Sequence, residues 1–368
     1  MTEIRNNWTR EEILEIYRQP LMDLLYQAAN VHRENHDPNT VQVSTLISIK
    51  TGGCPEDCGY CPQAARYHTD IEGNDLMSVQ QVKAQALRAK AGGSSRVCMG
   101  AAWRNVKDGP EFENVLEMVR TINNLDMEVC CTLGMLTENQ AKRLAEAGLY
   151  AYNHNLDTSE DYYKDVISTR SFEDRLTTID NVRKSNVTVC SGGIIGMGEN
   201  LEDRAGMLVA LSTLNPQPES VPINALVAVE GTPMEDMKPV SIWEMIRMVA
   251  TTRIVMPQTQ VRLSAGRTQM SREGQALCFF AGANSIFAGD KLLTTPNPDM
   301  DEDLEMFREL GLNPQKAFAK SPQPPSVEAA DSVLEPNGEK PSWSRPGHTI
   351  ERNESLKIKG KSVSESLD

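Results

Sequence analysis

The sequence is short of positive charge, of long apolar runs and of histidine. Its 37 Lys and Arg face 51 Asp and Glu, a formal net charge of −14, which argues against nucleic acid or an anionic membrane surface as a partner. No apolar stretch approaches the roughly 20 residues that a membrane span needs. The opening MTEIRNNWTREEI lacks the apolar core of a secretory signal. Eight cysteines in 368 residues, without secretory features, suit a reducing cytosol and metal or catalytic use rather than disulfides. A cytoplasmic, membrane-free protein is expected. Of the 5 histidines, His32, His36, His68 and His348 carry no pattern, and His154 reads as structural. No His/Asp/Glu constellation for acid–base catalysis stands out.

What is present is concentrated in Lys50 to Arg66, KTGGCPEDCGYCPQAAR. It comes directly after an apolar run from Val41 to Ile49 and sets Cys54, Cys58 and Cys61 in a C-x3-C-x2-C arrangement. Soft thiolates favour iron–sulfur clusters, Cu(I) or zinc. Most four-iron clusters take a fourth cysteine, and the next one here is Cys98. Three thiolates leave one iron open to a small molecule, which is an enzyme's arrangement. The alternative is a structural zinc knuckle, with His68 as a fourth ligand. Such a knuckle prefers short paired spacings that this triplet does not have.

The rest of the chain alternates strand and helix. Thr9 and Glu12 form a capping box opening a helical stretch over residues 9–36, read as an N-terminal helical cap over 1–40. Strands are expected at Val41–Ile49, Ser95–Met99, Glu128–Leu133, Tyr150–Asn155, Thr188–Ser191, Val221–Leu226, Gln260–Ser264 and Ser285–Ala288. Amphipathic helices fall between them at Val79–Ala91, Phe112–Leu125, Glu138–Ala147, Phe172–Ser185, Leu201–Leu214, Ile242–Val255 and Gln275–Ala281. Eight such units predict an α/β fold, a closed (β/α)8 TIM-type barrel over 41–318. Residues 319–368, rich in Pro, Ser, Glu and Lys, read as a disordered polar tail.

Side chains alternate across a strand, and barrel interiors are ordinarily filled by Val, Ile and Leu. Here one phase is polar: Arg96 with Cys98; Glu128 with Cys130 and Thr132; Asn153 with Asn155 and Asp157; Thr188 with Cys190; Asn224; and Gln260 with Arg262 and Ser264. Buried polar groups are costly unless satisfied, so this phase predicts a large polar cavity. A lone buried cysteine is usually a small hydrophobe. Three of them, Cys98, Cys130 and Cys190, on the inward phase of three strands suggest a second metal site, and Arg262 needs an anionic neighbour. Cys131, next to Cys130, has the outward phase; it and Cys278 read as core.

The motif C-x3-C-Gly-Tyr-C resembles that of the radical S-adenosylmethionine enzymes. CGYCPQAARYHT, CMGAAWR, CTLGML, YNHNLDTS, VCSGGIIGMGE, VRLSAGR and FAGANSIFAGDKLLTTPNP, spread from about Trp8 to Phe318, are similar to its sulfur-inserting branch that turns dethiobiotin into biotin. The tail is not covered. The resemblance implies a 4Fe–4S cluster on Cys54, Cys58 and Cys61, whose open iron chelates S-adenosylmethionine. It also implies a 2Fe–2S cluster on Cys98, Cys130, Cys190 and Arg262; spacing to the TLG triplet, like strand phase, favours Cys130 over Cys131. S-adenosylmethionine would meet Tyr60 at its adenine, Asn155 and Asp157, Arg96 and Arg175, and the glycine-rich turn with Gly193 and Gly196. Asn amides both donate and accept, so Asn153 and Asn224 are expected at the ureido ring of dethiobiotin, with Lys50 near the cavity mouth. The implied chemistry is reductive cleavage of S-adenosylmethionine, hydrogen abstraction by the resulting 5′-deoxyadenosyl radical, and sulfur capture from the 2Fe–2S cluster. It further implies a low-potential electron donor such as flavodoxin or ferredoxin, and a homodimer. A lipoate-type sulfur inserter of the same superfamily is disfavoured by the inward cysteine trio and the Asn pair. A cluster carrier for electron transfer or assembly would need no such polar interior.

Overall fold

Ten strands, every one in parallel pairing, make up the central sheet in the computed structural model, which describes residues 2–289 and 291–319. They are β1 (Thr40–Lys50), β2 (Arg96–Ala101), β3 (Glu128–Thr132), β4 (Ala151–Asn153), β5 (Thr188–Cys190), β6 (Gly193–Ile195), β7 (Ser220–Ala225), β8 (Gln260–Leu263), β9 (Ser285–Phe287) and β10 (Asn313–Pro314). β1 pairs with both β2 and β9, which closes the sheet into a barrel of eight positions. β6 continues the fifth position and β10 lies beside the start of β1. The tail expected at 319–368 falls, from residue 320, outside the described residues.

The fifth position departs from the expected single strand. Register sets Cys190 opposite Ser220 and Gly193 opposite Ile223, so the gap between β5 and β6 falls opposite Pro222. Proline has no N–H to give to the ladder. Gly192 is pressed so close that a Cβ there would come within 2.0 Å of the Pro222 carbonyl oxygen. The glycine run read as a turn therefore begins with a strand.

Eleven α-helices surround the barrel among the described residues: α1 (Arg10–Tyr17), α2 (Leu21–Asn35), α3 (Val79–Ala91), α4 (Pro110–Asn123), α5 (Glu138–Glu146), α6 (Tyr163–Val166), α7 (Phe172–Lys184), α8 (Leu201–Ser212), α9 (Ile242–Val255), α10 (Arg272–Phe280) and α11 (Met300–Leu310). Capping boxes start α1 (Thr9 with Glu12), α3 (Ser78 with Gln81), α5 (Thr137 with Gln140), α7 (Ser171 with Asp174) and α8 (Asn200 with Asp203). Each such cap contributes about 1 kcal/mol. The N-terminal stretch is two helices, broken at Pro20, and not one. α1 packs on α8 and α9 and α2 packs on α9 through Leu24, Leu25 and Ala28, so both thicken the outer layer. α11 comes after β9 and completes the eighth unit. Its inward face carries Asp303, buried against Arg267.

The outward phase of the strands holds Val97, Met99, Val129, Cys131, Val221, Ile223, Val261 and Leu263, all sealed beneath the helices. Full burial of each aliphatic side chain contributes about 1.5–3 kcal/mol.

The inward phase is polar, as strand alternation predicts, but its lower half is not a cavity. At the N-terminal ends of the strands, Arg96 donates to Glu128 at 2.7 Å and to Glu219 at 3.0 and 3.2 Å, with its guanidinium over the Tyr150 ring. Gln260 donates to Gln315 at 3.1 Å, and Thr188 to the Tyr150 carbonyl at 2.8 Å. The Phe318 N–H donates to Glu128 at 2.8 Å, and its ring packs edge-on against Tyr150. Arg96 and its two carboxylates satisfy one another because their charges are complementary across strands, whereas Gln260 Oε1 has no partner. No ligand is needed there, which corrects the expectation that the whole polar phase lines a void.

Candidate active site

Above this floor, at the C-terminal ends of the strands, lies a cavity of about 310 Å³. That is the end at which barrels of this architecture carry their active sites. Its wall includes Cys54, Cys58, Cys61 and Tyr60 on one side, Cys98, Cys130 and Arg262 at the bottom, and Asn153, Asn155, Asp157, Arg175 and Asn224 around the flank. Residues far apart in the chain thus face one space.

The cysteine loop is held from outside the barrel. The Gly59 N–H donates to the Val166 carbonyl at 2.9 Å. Asp57 accepts from the backbone N–H groups of Ser168 (2.9 Å) and Thr169 (3.1 Å) and from both of their hydroxyls. Burial opposes ionisation of Asp57, but those hydrogen bonds outweigh it and hold its carboxyl at about 2. Burial pushes the Cys58 thiol up to about 11 and the Cys61 thiol up to about 12, and also raises Cys54. Thiols so placed become thiolates when a metal takes their protons' place, so the donor set fits an iron–sulfur group. Among the described residues no three His, Cys, Asp or Glu side chains converge on a single metal ion. A cluster spanning several ångströms has no such need.

Deeper in, Cys98 and Cys130 share a thiol–thiol hydrogen bond, which lowers Cys98 and raises Cys130. Cys190 stands just behind the cavity wall. Its sulfur accepts from Asn153 at 3.3 Å and from Arg262 at 3.9 Å. These three sulfurs form a small cluster of their own with Tyr150 and Phe287, whereas Cys131 and Cys278 lie in the main core. Arg262 is fully buried without a carboxylate. It donates to Gln42 at 2.9 Å, Ser44 at 3.3 Å and Ser285 at 2.8 Å, and stacks over Phe287. Its remaining Nη1 points to sulfur.

On the flank, Arg175 is buried, not on the surface. It pairs with the Asp157 carboxylate and donates to the Asn155 carbonyl (2.7 Å) and the Tyr163 hydroxyl (2.8 Å). Burial works against its charge, yet Asp157 leaves its affinity for the proton raised. Both asparagine amides are oriented by fixed partners. Asn153 accepts from Thr132 and donates to Asn155 and Cys190, while Asn224 donates to the Gly193 carbonyl and accepts from the Ala265 N–H. Asn224 retains one N–H and one lone pair for a ligand.

Several expected contacts are not brought to the cavity. Arg96 sits in the floor with two carboxylates. Gly193 and Gly196 face protein instead of the cavity; a Cβ on them would meet Met207 at 2.0 Å and Val240 at 2.4 Å, and it is Ile194 that reaches the wall. Lys50 donates to the Gly52 carbonyl at 3.2 Å beside the cysteine loop and does not line the cavity. Conversely, sequence reasoning missed Glu56 and Arg170, Trp103, and the loop Leu292–Thr295 that walls the far side. His154 also lines it, because β4 ends at Asn153 and strict alternation ends with it. Burial, then Arg175 and Arg170, keep that imidazole well below its usual range and neutral.

Fold and site define a barrel enzyme of the radical S-adenosylmethionine class. Residues 48–211 match the Radical SAM superfamily, and residues 222–313 match the Biotin and Thiamin Synthesis associated domain, which here comprises the last three barrel positions and the chain through α11, not a separate body. The chain is 82% identical to the biotin synthase of Flavobacterium psychrophilum over 361 residues, 98% of this chain and 100% of that one. It is 63% identical to the biotin synthase of Cytophaga hutchinsonii over 324 residues, 88% of this chain and 96% of that one. It also superposes on the crystal structure of methylornithine synthase with a TM-score of 0.70 at 18% identity, covering 84% of this chain and 94% of that one, which speaks to the fold alone. The chain belongs to the biotin synthase family and is an enzyme, a sulfurtransferase. Because 361 of its 368 residues align with the Flavobacterium protein, the likeness runs well past Phe318, beyond the span expected from the motifs. Among the described residues no helix is long and apolar enough to cross a membrane.

Proposed function

We propose that the cavity holds two iron–sulfur clusters with S-adenosylmethionine and dethiobiotin between them, and that the chain inserts sulfur into dethiobiotin to close the thiophane ring of biotin. In this reading Cys54, Cys58 and Cys61 hold a 4Fe–4S cluster, and Cys98, Cys130, Cys190 and Arg262 a 2Fe–2S cluster. The observation that carries it is that one cavity is lined by Cys54, Cys58 and Cys61 and by Cys98 and Cys130, with Cys190 just behind its wall and two oriented asparagines on its flank. When bound, the clusters supply the electron that cleaves S-adenosylmethionine and the sulfur that enters the product.

The chain's own work is placement and exclusion of water. Tyr60 offers a flat face for adenine, while Asn155 and Asp157 offer polar groups for the ribose and methionyl parts. Arg175 holds Asp157 in one orientation. Asn224 and Asn153 present donors and acceptors matched to a cyclic urea. The hydroxyls of Thr294 and Thr295 on the opposite wall suit the carboxylate end. The sealed floor closes the barrel to solvent below the sulfurs. No titrating acid or base is required for hydrogen abstraction, and the buried neutral His154 agrees with that. A cytoplasmic homodimer reduced by flavodoxin or ferredoxin completes the reading.

The test is an anaerobic single-turnover assay on reconstituted protein with dethiobiotin, S-adenosylmethionine and a low-potential reductant, read by mass spectrometry. Biotin together with 5′-deoxyadenosine is expected, with biotin lost in Cys98→Ala. No biotin from protein shown to hold both clusters would overturn the substrate assignment.

A further inference from the structure

Three arginines line the cavity, and two of them are committed. Arg175 is paired with Asp157, and Arg262 is held by Gln42, Ser44 and Ser285. Arg170 differs. Its side chain is nine-tenths buried, and its Nε and Nη1 have no hydrogen-bond partner. The nearest carboxylate is Glu56, with Oε1 at 4.0 Å, beyond hydrogen-bonding distance. Glu56 lies between Cys54 and Cys58 in the cysteine loop, and that same Oε1, itself unbonded, is also approached by Arg104 at 3.5 Å. Two guanidiniums therefore share one carboxylate. The other carboxylate of the loop, Asp57, has Arg66 at 3.4 Å. With Lys50 also beside the loop, positive groups outnumber carboxylates next to the thiols, in a chain whose net charge is −14.

Leaving a cation buried and unbonded is costly unless an anion compensates it. The loop fixes where that anion would be, since Asp57 ties it to Ser168 and Thr169, the two residues before Arg170. Resting on the three-cysteine cluster site proposed above, we infer that Arg170 is a positioning residue whose charge offsets the negative charge of the thiolate-held cluster and sets the ease of its reduction. Reduction adds an electron to an already anionic group, so a nearby cation favours the reduced form. Glu56 is the opposing charge that Arg170 and Arg104 restrain.

The experiment is a potentiometric titration followed by electron paramagnetic resonance, on anaerobically reconstituted protein without S-adenosylmethionine. Iron and sulfide content is measured alongside for wild type, Arg170→Gln, Arg170→Lys and Glu56→Gln. At the wild-type midpoint, Arg170→Gln is expected to have a reduced-to-oxidised ratio smaller by on the order of tenfold, a shift of about 59 mV for one electron. Arg170→Lys stays near wild type in content and midpoint, and Glu56→Gln moves in the opposite direction. An unshifted midpoint in Arg170→Gln at full cluster content overturns the inference. So does an Arg170→Lys protein as defective as Arg170→Gln, since shape and not charge would then matter. An unshifted midpoint with weakened S-adenosylmethionine binding would give Arg170 to the methionyl carboxylate and likewise overturn it. If wild type itself binds no cluster, the proposed three-cysteine site fails first and the inference falls with it.

Discussion

Arg96, in the floor of the barrel, has two carboxylates for one guanidinium, whereas Arg170, in the wall of the cavity, shares one carboxylate with Arg104. Both are buried in the same barrel. In the floor the charged groups Arg96, Glu128 and Glu219 find partners in one another, and the Phe318 N–H in Glu128, although Gln260 keeps a buried oxygen without a hydrogen bond. At the mouth, Arg170 and Glu56 have buried atoms without a hydrogen bond, as does His154 at Nε2, and the thiols are held far from their charged form. Charges that are paired build a wall, and a buried charge left short of a partner marks where a ligand is due. Polarity alone does not separate the two; pairing does.

The contrast can be broken most severely from below. Arg96→Gln leaves the buried Glu128 carboxylate without a cation and is expected to cost about 3–5 kcal/mol, read as a lowered midpoint in denaturant unfolding. Arg170→Gln, the corresponding change at the mouth, stays within about 1 kcal/mol of wild type in the same measurement. Comparable losses would show that both ends are structural.

Next in size is Asn224→Ala. It removes the amide offered to the ureido ring and should weaken dethiobiotin binding by about 1–3 kcal/mol, roughly 5- to 150-fold. The binding is measured by titration of the loaded protein, with the unfolding midpoint followed alongside because the Gly193 carbonyl and the Ala265 N–H lose their partner. Phe318→Ala tests the seal: a half-buried ring lost from beneath Tyr150 should cost about 1–2 kcal/mol and speed hydrogen exchange in β3 and β4. Unchanged exchange would mean that the floor is closed without it. Smallest is the pair Cys130→Ala and Cys131→Ala. Each is a small packing loss of about 1 kcal/mol, but only Cys130→Ala should lower the iron and sulfide bound per chain. If Cys131→Ala did so instead, the strand-phase argument for Cys130 would fail.

Much of the barrel is legible in the sequence because its signals are local. Capping boxes such as Thr9 with Glu12 read within four residues, and the helix expected at Ile242–Val255 has those bounds. Strand phase separates Cys130 from Cys131, and the structure puts one in the interior and the other beneath the helices. The failures are equally specific. The fifth strand breaks because Pro222, 32 positions from Cys190, lies opposite the gap. α11 lies outside the helices expected from the sequence, and the partner of its inward Asp303 is Arg267, 36 residues away. Gly193 and Gly196 read as ligand-facing positions, whereas the close neighbours that demand glycine are Met207 and Val240.

Composition, spacing and alternation by themselves determined which donor atoms this protein has and which face of each strand carries them, because rotation along a strand or helix is set by the residue's own place in it. Only the tertiary structure decided which of those donors are already spoken for. Arg96 meets Glu128 across 32 residues and Glu219 across 123, while Arg170 reaches Glu56 across 114 and does not bond it. Satisfaction of a buried charge depends on distances between strands that no local pattern encodes.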